Sequence, residues 1–334
     1  MKKKYFEQLE YAERFIKFHN VKINKDSKTI AKEMVDAKVR YGMAFEEFFQ
    51  FHFEGKNDDY KSQFVGDNER LKRFTEKLNE KPDLFWNEYK TYEYFKPYYK
   101  RDVCCLNNEI EQEKNLYSFF EKHKCFVVKP IDASQGNGVN KYDISNMELY
   151  QVINMIKNDY SDKPVIIEEL ISQDEELSRL HPQSVNTVRI VTFNFGDHIE
   201  CRYPCLRMGV GDSIVDNGAA GGIFAAVDVN TGKLLKVADE LGHEYAEHPD
   251  TKVDFRNYVI PKWNEVKSLG IKLAKLIPEN RYCSWDFALQ NGEWILIEVN
   301  SSGHLLWQIA MNQGLRTDLK NIVKKMKTNQ IQHK

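Results

Sequence analysis

One stretch constrains the fold more than any other: Cys283–Ser302, CSWDFALQNGEWILIEVNSS. It reads as two strands joined at Asn291-Gly292, a dipeptide that accepts the left-handed backbone of a tight hairpin turn. Phe287, Leu289, Ile295, Ile297 and Val299 fall at odd positions, so a period of two places them on one face. Asp286, Glu298 and Asn300 fall at even positions and point the other way. Burying the odd residues of both strands together requires an odd number of connecting residues or a bulge. In that register two carboxylates and an amide converge above an apolar sheet. Hard cations such as Mg²⁺ take oxygen donors of this kind. The competing reading is a pair of solvent-facing strand acids, which are common.

The 334 residues leave room for two or three subdomains. A formal net charge of -2 carries no nucleic-acid footprint. The opening MKKKYFEQLEYAERF lacks the apolar segment of a secretory signal, and no apolar run approaches the roughly 20 residues that span a bilayer. Six cysteines without a CxxC spacing read as thiols rather than as a disulfide framework or a zinc site. The expectation is a cytoplasmic protein, with its oligomeric state left open.

Residues 1–84 read as a helical N-terminal region. Phe6, Leu9, Ala12, Phe15 and Ile16 recur at helical spacing, as do Val35, Val39, Phe45, Phe48 and Phe49. This region shows no catalytic constellation. Residues 85–124 form a first segment of the next unit, opening on an aromatic-basic helix that breaks near Pro97. Within 125–171, Phe126–Val128 reads as a strand followed by Lys129. Ser134, Gln135, Gly136 and Gly138 then form a small turn whose backbone N–H groups suit phosphate oxygens. It matches neither a Walker A loop nor GxGxxG, and a plain surface turn is the bland alternative. Pro164–Ile171 is a buried strand ending in acids, shaped to hold a flat base.

Residues 172–334 make a third unit. Arg189 stands within an apolar strand, where it needs an anion: a structural salt bridge, or a phosphate or carboxylate ligand. Arg207 precedes the glycine-rich run Asp216, Asn217, Gly218, Ala219, Ala220, Gly221, Gly222, whose glycines suggest close approach of backbone to a ligand. Residues 261–277 form an amphipathic helix ahead of the carboxylate hairpin, and 304–326 form a terminal one.

In this order the parts resemble the ATP-grasp superfamily, and within it the sugar-transfer-associated ATP-grasp family. The segments that carry the resemblance are VVKPIDASQGNGV, IIEELISQDEEL with HPQSVNTVRIVT, RMGVGDSIVDNGAAGG and WDFALQNGEWILIEVNSSG. The resemblance implies an α+β fold of two subdomains clamping ATP, with a helical extension in front. It implies that Lys129 and Lys90 contact ATP phosphates and that Ser134–Gly138 closes over them. Glu168, Glu169, Leu170 and Ile171 would form the adenine hinge, with Glu168 or Glu169 at the exocyclic amine. Glu175 or Glu176 would hold the ribose. Asp286, Glu298 and Asn300 would bind Mg²⁺, with Mn²⁺ as an alternative ion. Arg189 and Arg207 would face the transferred phosphoryl group, and Asp216, Asn217, Gly221 and Gly222 would line the acceptor side.

The chemistry so implied is ADP-forming ligation. Phosphoryl transfer turns a carboxylate into an acyl phosphate, which an amine then attacks, releasing phosphate. The partners expected are a small-molecule carboxylate and an amine, sugar-linked through a role in surface-polysaccharide synthesis. A small-molecule kinase on the same scaffold and a non-catalytic nucleotide-binding protein are the rival readings, since fold alone does not fix function.

Overall fold

A computed structural model describes residues 2–19, 22–107, 113–132, 138–301, 303 and 305–332. The chain begins with helices Lys2–Phe18, Ser27–Tyr41 and Phe45–Gln50. The Asp26 side chain accepts from Thr29 N and starts the second, and Gly42, at φ +73°, ends it. That stop splits the apolar stripe expected over Val35–Phe49 between two helices. Val39 consequently stands 73% exposed, and Phe6 lies outside the core as well. Ala12, Phe15, Ile16, Met34, Phe48 and Phe51 are buried together.

Two antiparallel sheets follow. The smaller, ordered β1-β4-β2-β3, comprises β1 (Val103–Leu106), β2 (Cys125–Pro130), β3 (Asn140–Asp143) and β4 (Val165–Glu169). One face of it packs Phe126, Val128 and Ile167 against Phe120, Val152 and Ile156. The larger, ordered β11-β10-β5-β6-β7-β8-β9, contains β5 (Thr187–Asn194), β6 (Ile199–Met208), β7 (Ile223–Val227), β8 (Leu234–Ala238) and β9 (Glu244–Tyr245). Its far edge is the hairpin of β10 (Tyr282–Gln290) and β11 (Glu293–Asn300). Behind it, the helix Trp263–Leu276 buries Val266 and Leu273 with Val188, Ile190, Leu206, Trp285 and Phe287.

The hairpin turns on two residues, Asn291 at φ +51° and Gly292 at φ +73°. A bulge follows, as an even turn demands, and it lies between Asp286 and Phe287. Asp286 pairs with Glu298, whereas Phe287 pairs with Leu296, so Ile297 is the extra residue. The bulge corrects the expected apolar set. Near the turn it is Trp294 and Leu296 that join Phe287 and Leu289 in the core, while Ile297 faces a cleft. Beyond the bulge the expected parity holds: Asp286, Glu298 and, opposite Ser284, Asn300 share the other face.

The N-terminal helices cover part of that same face. Cys205, Phe224, Ala226 and Ala238 pack with Phe48, Phe51 and Leu306 in one cluster. Neighbouring positions on the same strands carry the polar site. The chain's last segment is helical, in two pieces, Leu306–Met311 and Arg316–Gln332. Asn312, in the left-handed region at φ +49°, ends the first. All six cysteines are thiols. Among the described residues no helix is long and apolar enough to cross a membrane.

Candidate active site

A cleft of about 900 Å³ lies where the two sheets and the N-terminal helices meet. Its floor belongs to the larger sheet. Asp286 pairs in register with Arg189 on β5, so both side chains rise on one face. The guanidinium grips the carboxylate from two nitrogens, at 2.7 Å and 2.6 Å. Arg207, opposite Thr187 on β6, donates to Asp286 Oδ2 at 2.7 Å and to Asp216 Oδ1 at 2.7 Å. Asp216 in turn accepts from the backbone N–H and the hydroxyl of Thr187. Burial alone would raise the Asp286 carboxyl, but Arg189 and Arg207 outweigh it and hold the group below its ordinary range. Asp286 is 1% exposed and does not line the cleft, whereas Arg189, Arg207, Glu298 and Asn300 do. The salt-bridge reading of Arg189 is therefore realised in this state, with its guanidinium still at the cleft wall.

The roof belongs to the smaller sheet. Val127, Lys129, Lys141 and Glu168 share its cleft-facing side, since Val127 pairs with both Lys141 and Glu168. Lys129 contacts Glu88 at 2.5 Å and Glu168 at 3.3 Å. Arg101, itself buried, donates to Glu168 at 2.9 Å and to the Leu296 carbonyl at 2.7 Å. Burial works against the Lys129 charge, but Glu168, Glu88 and Glu298 overcome it and raise the lysine above its usual range. For Glu88 the balance runs the other way. Burial outweighs Lys129 and pushes its carboxyl up to about 7. Glu298 adds to the fields on both Lys129 and Arg189, which places it between roof and floor.

Other expected residues divide. Glu169, Leu170 and Ile171 line the cleft with Glu168, and Glu169 also accepts from Asp102 N at 2.9 Å. Glu175 and Glu176 are exposed on a short helix and do not line it; Gln173 does. The Gln173 amide is tied to Asn186, donating to its carbonyl at 2.7 Å. Lys90 is not brought to the cleft. It is exposed on the helix Glu88–Tyr99, whose first turn presents Glu88 instead. The physical reason is the Asn87 cap, which fixes the start of the helix by accepting from Lys90 N. Ser134, Gln135 and Gly136 lie outside the described residues. Gly138, at φ +71°, turns back onto the β2 end, its carbonyl held by the Tyr160 hydroxyl at 2.8 Å.

Asp216, Asn217, Gly218 and Ala219 line the cleft, whereas Gly221 and Gly222 do not. Those two glycines serve the fold. Gly221 sits at φ +86°, and a Cβ on Gly222 would meet the carbonyl oxygens of Asp216 and Met208 at 2.8 Å. The expectation that this run owed its glycines to a ligand is corrected to that extent. Sequence reasoning missed Glu88 and Lys141, and it missed a whole wall. Ala44, Glu46, Glu47, Gln50, Asp67 and Arg70 reach the cleft from the N-terminal helices. Only the 3D packing of an aromatic-rich segment places them there.

The sequence matches the model of the sugar-transfer associated ATP-grasp family over residues 57–324, and the chain belongs to that family. Among solved structures it is similar to D-alanine-D-alanine ligase from Helicobacter pylori, at 17% identity and a TM-score of 0.46 over 72% of this chain and 61% of that one. The D-alanine-D-alanine ligase from Bacillus anthracis matches at 15% identity and TM-score 0.45, over 75% and 70%. The ATP-grasp ligase PsnB complexed with a minimal precursor matches at 14% identity and TM-score 0.45, over 76% and 67%. The chain thus spans less than two thirds of the Helicobacter enzyme. Among curated proteins none matches the sequence. The fold is the ATP-grasp α+β fold, preceded by helices.

Proposed function

We propose that this member of the ATP-grasp family is an ATP-dependent, ADP-forming carboxylate–amine ligase. The observation that carries the reading is the meeting, in one cleft, of a roof lysine, two floor arginines and a pair of oxygen donors on β11. Leu170 and Ile171 offer an apolar shelf for a base beside the backbone of the β4 end. Lys129 and Lys141 stand over the phosphates. Arg189 and Arg207 face the group in flight and spread its charge without reorganising, because neighbouring strands hold them.

A hard cation fits the donor chemistry, since Glu298 and Asn300 present oxygens to the cleft two residues apart on one strand face. Asp286, its oxygens taken by Arg189 and Arg207, fixes the floor and would ligate a bound ion only if a guanidinium gave way. When bound, Mg²⁺ or Mn²⁺ neutralises phosphate charge. The substrate carboxylate attacks the γ-phosphorus and the bond to ADP breaks. An amine then attacks the acyl carbon of the resulting acyl phosphate and expels inorganic phosphate. Membership of a sugar-transfer associated family supports a substrate drawn from surface-polysaccharide synthesis.

The test is turnover of MgATP with pooled amino acids and uronic acids, with hydroxylamine as a trap. ADP together with a hydroxamate is the expected result. ADP with a stable phosphorylated product and no hydroxamate would instead establish a kinase.

A further inference from the structure

The N-terminal wall of the cleft differs from the rest in what it offers. Roof and floor carry cations beside their acids; this wall carries one cation, Arg70, among the residues that line the cleft, and several acceptors. Gln50, at the end of the helix Phe45–Gln50, lines the cleft at 8% exposure, and its side-chain oxygen is buried without a hydrogen-bond partner. A buried amide oxygen without a donor is costly, and a ligand that donates to it would remove that cost. Glu240 lines the same wall from the turn after β8. The segments that carry them adjoin: a Cβ on Gly242, two residues past Glu240, would lie 3.2 Å from the Gln50 backbone carbonyl oxygen.

Glu240 has no hydrogen bond or ion pair with a described residue. Burial raises its carboxyl above the ordinary range, and Asp239 and Asp67 raise it further against the pull of Arg207. A half-buried carboxylate in such surroundings gains from a cation beside it. Glu47 is not available for that purpose, because its two oxygens accept from Ala44 N at 2.7 Å and Asp67 N at 2.6 Å. Its part is to fasten the helix Phe45–Gln50 to the segment that follows residue 66.

Building on the ligase reading, we infer that the amine substrate docks here as its ammonium, between Glu240 and the Gln50 amide oxygen, with the N-terminal helices forming one wall of its site. The N-terminal region is then part of the enzyme's specificity rather than an appendage. Hydrogen-bond donors on the ligand meet acceptors on the wall. A neutral N-acylated analogue would leave Glu240 uncompensated and is excluded on that ground.

The experiment is saturation-transfer NMR on the full chain with Mg²⁺ and a non-hydrolysable ATP analogue. The probes are glucosamine, galactosamine, serine, lysine and ethanolamine, each compared with its N-acetyl counterpart. At least one free amine should bind and its N-acetyl form should not. Glu240→Gln and Gln50→Leu should each weaken that binding ~10-fold or more, the loss of a hydrogen bond to a charged group. Glu244→Gln, on the exposed strand β9, should leave it unchanged. Thermal midpoints and nucleotide affinity, measured in parallel, separate a misfolded variant from a binding defect. Failure of every free amine to bind, equal binding of the N-acetyl forms, or a Glu240→Gln variant that binds normally overturns the inference. A hydroxamate in the trap assay with such a failure removes this site alone. Amine binding that Glu240→Gln abolishes, without any hydroxamate, removes the ligase reading and leaves the site standing.

Discussion

Two charge clusters face each other across the cleft, and they are built differently. In the floor, Asp286 and its two arginines come from three neighbouring strands, β10, β5 and β6, of one sheet. Register alone sets Arg189 beside Asp286. In the roof, Lys129 is shared between Glu168 of its own sheet and Glu88. Glu88 belongs to a helix that packs on the other sheet, with Phe95 edge-on to Trp285 at 5.6 Å. The floor network lies within one sheet, whereas the roof network joins the smaller sheet to a helix packed on the larger one. Glu88 is also tied to the smaller sheet, its N–H donating to the Ile131 carbonyl at 3.0 Å just past β2. A carboxyl at about 7 makes Glu88 the partner most easily lost near neutrality.

The largest effect should come from breaking the floor. Asp286→Ala leaves two buried guanidinium groups without their shared anion and should cost about 3–5 kcal/mol of stability along with all turnover. Glu298→Gln removes a charge from the cleft wall but from no ion pair among the described residues. It should lower kcat by ~10²–10³ while the thermal midpoint stays within experimental scatter. Equal thermal midpoints for the two variants would show that Asp286 is not the structural centre of the floor.

Lys129→Ala should weaken nucleotide binding ~10- to 100-fold, as expected for a charge-assisted contact to phosphate. Arg101 still holds Glu168, so the loss of stability should be smaller than for Asp286→Ala. Calorimetric titration with ADP decides it, and unchanged affinity would remove Lys129 from the phosphate site.

The smallest effect is on pH dependence. The Glu88 carboxyl is raised in the folded state from an ordinary value near 4.5 to about 7. Its contribution to stability is therefore complete below about 4.5 and lost as pH rises through about 7. Phosphate arriving at Lys129 would raise the carboxyl further, so binding takes up protons above about 7 and affinity declines as pH rises beyond that point. Glu88→Gln should flatten that decline by ~3-fold over the first pH unit above about 7. Parallel pH profiles of affinity in the variant and the parent would show that Glu88 does not compete for Lys129.

Turn chemistry and the parity of the acids were legible in the sequence, because both are local, whereas the bulge put Trp294 and Leu296, in place of Ile295 and Ile297, in the cluster with Phe287 and Leu289. Asn291-Gly292 dictated a two-residue turn, and that turn with the acid spacing required the bulge that Ile297 supplies. The order of motifs identified the family. What lay beyond reach was whatever depends on side chains meeting from distant segments. That Asp286 is held by Arg189 and Arg207, that Glu88 rather than Lys90 faces Lys129, and that Gln50 and Glu240 line one wall are facts of packing. Nothing in residues 1–84 marks them as part of a site, since burial of Phe48, Phe51 and Phe64 is what brings their polar neighbours to the cleft. Periodicity decides which face a residue takes, but only the tertiary structure decides which partner waits there.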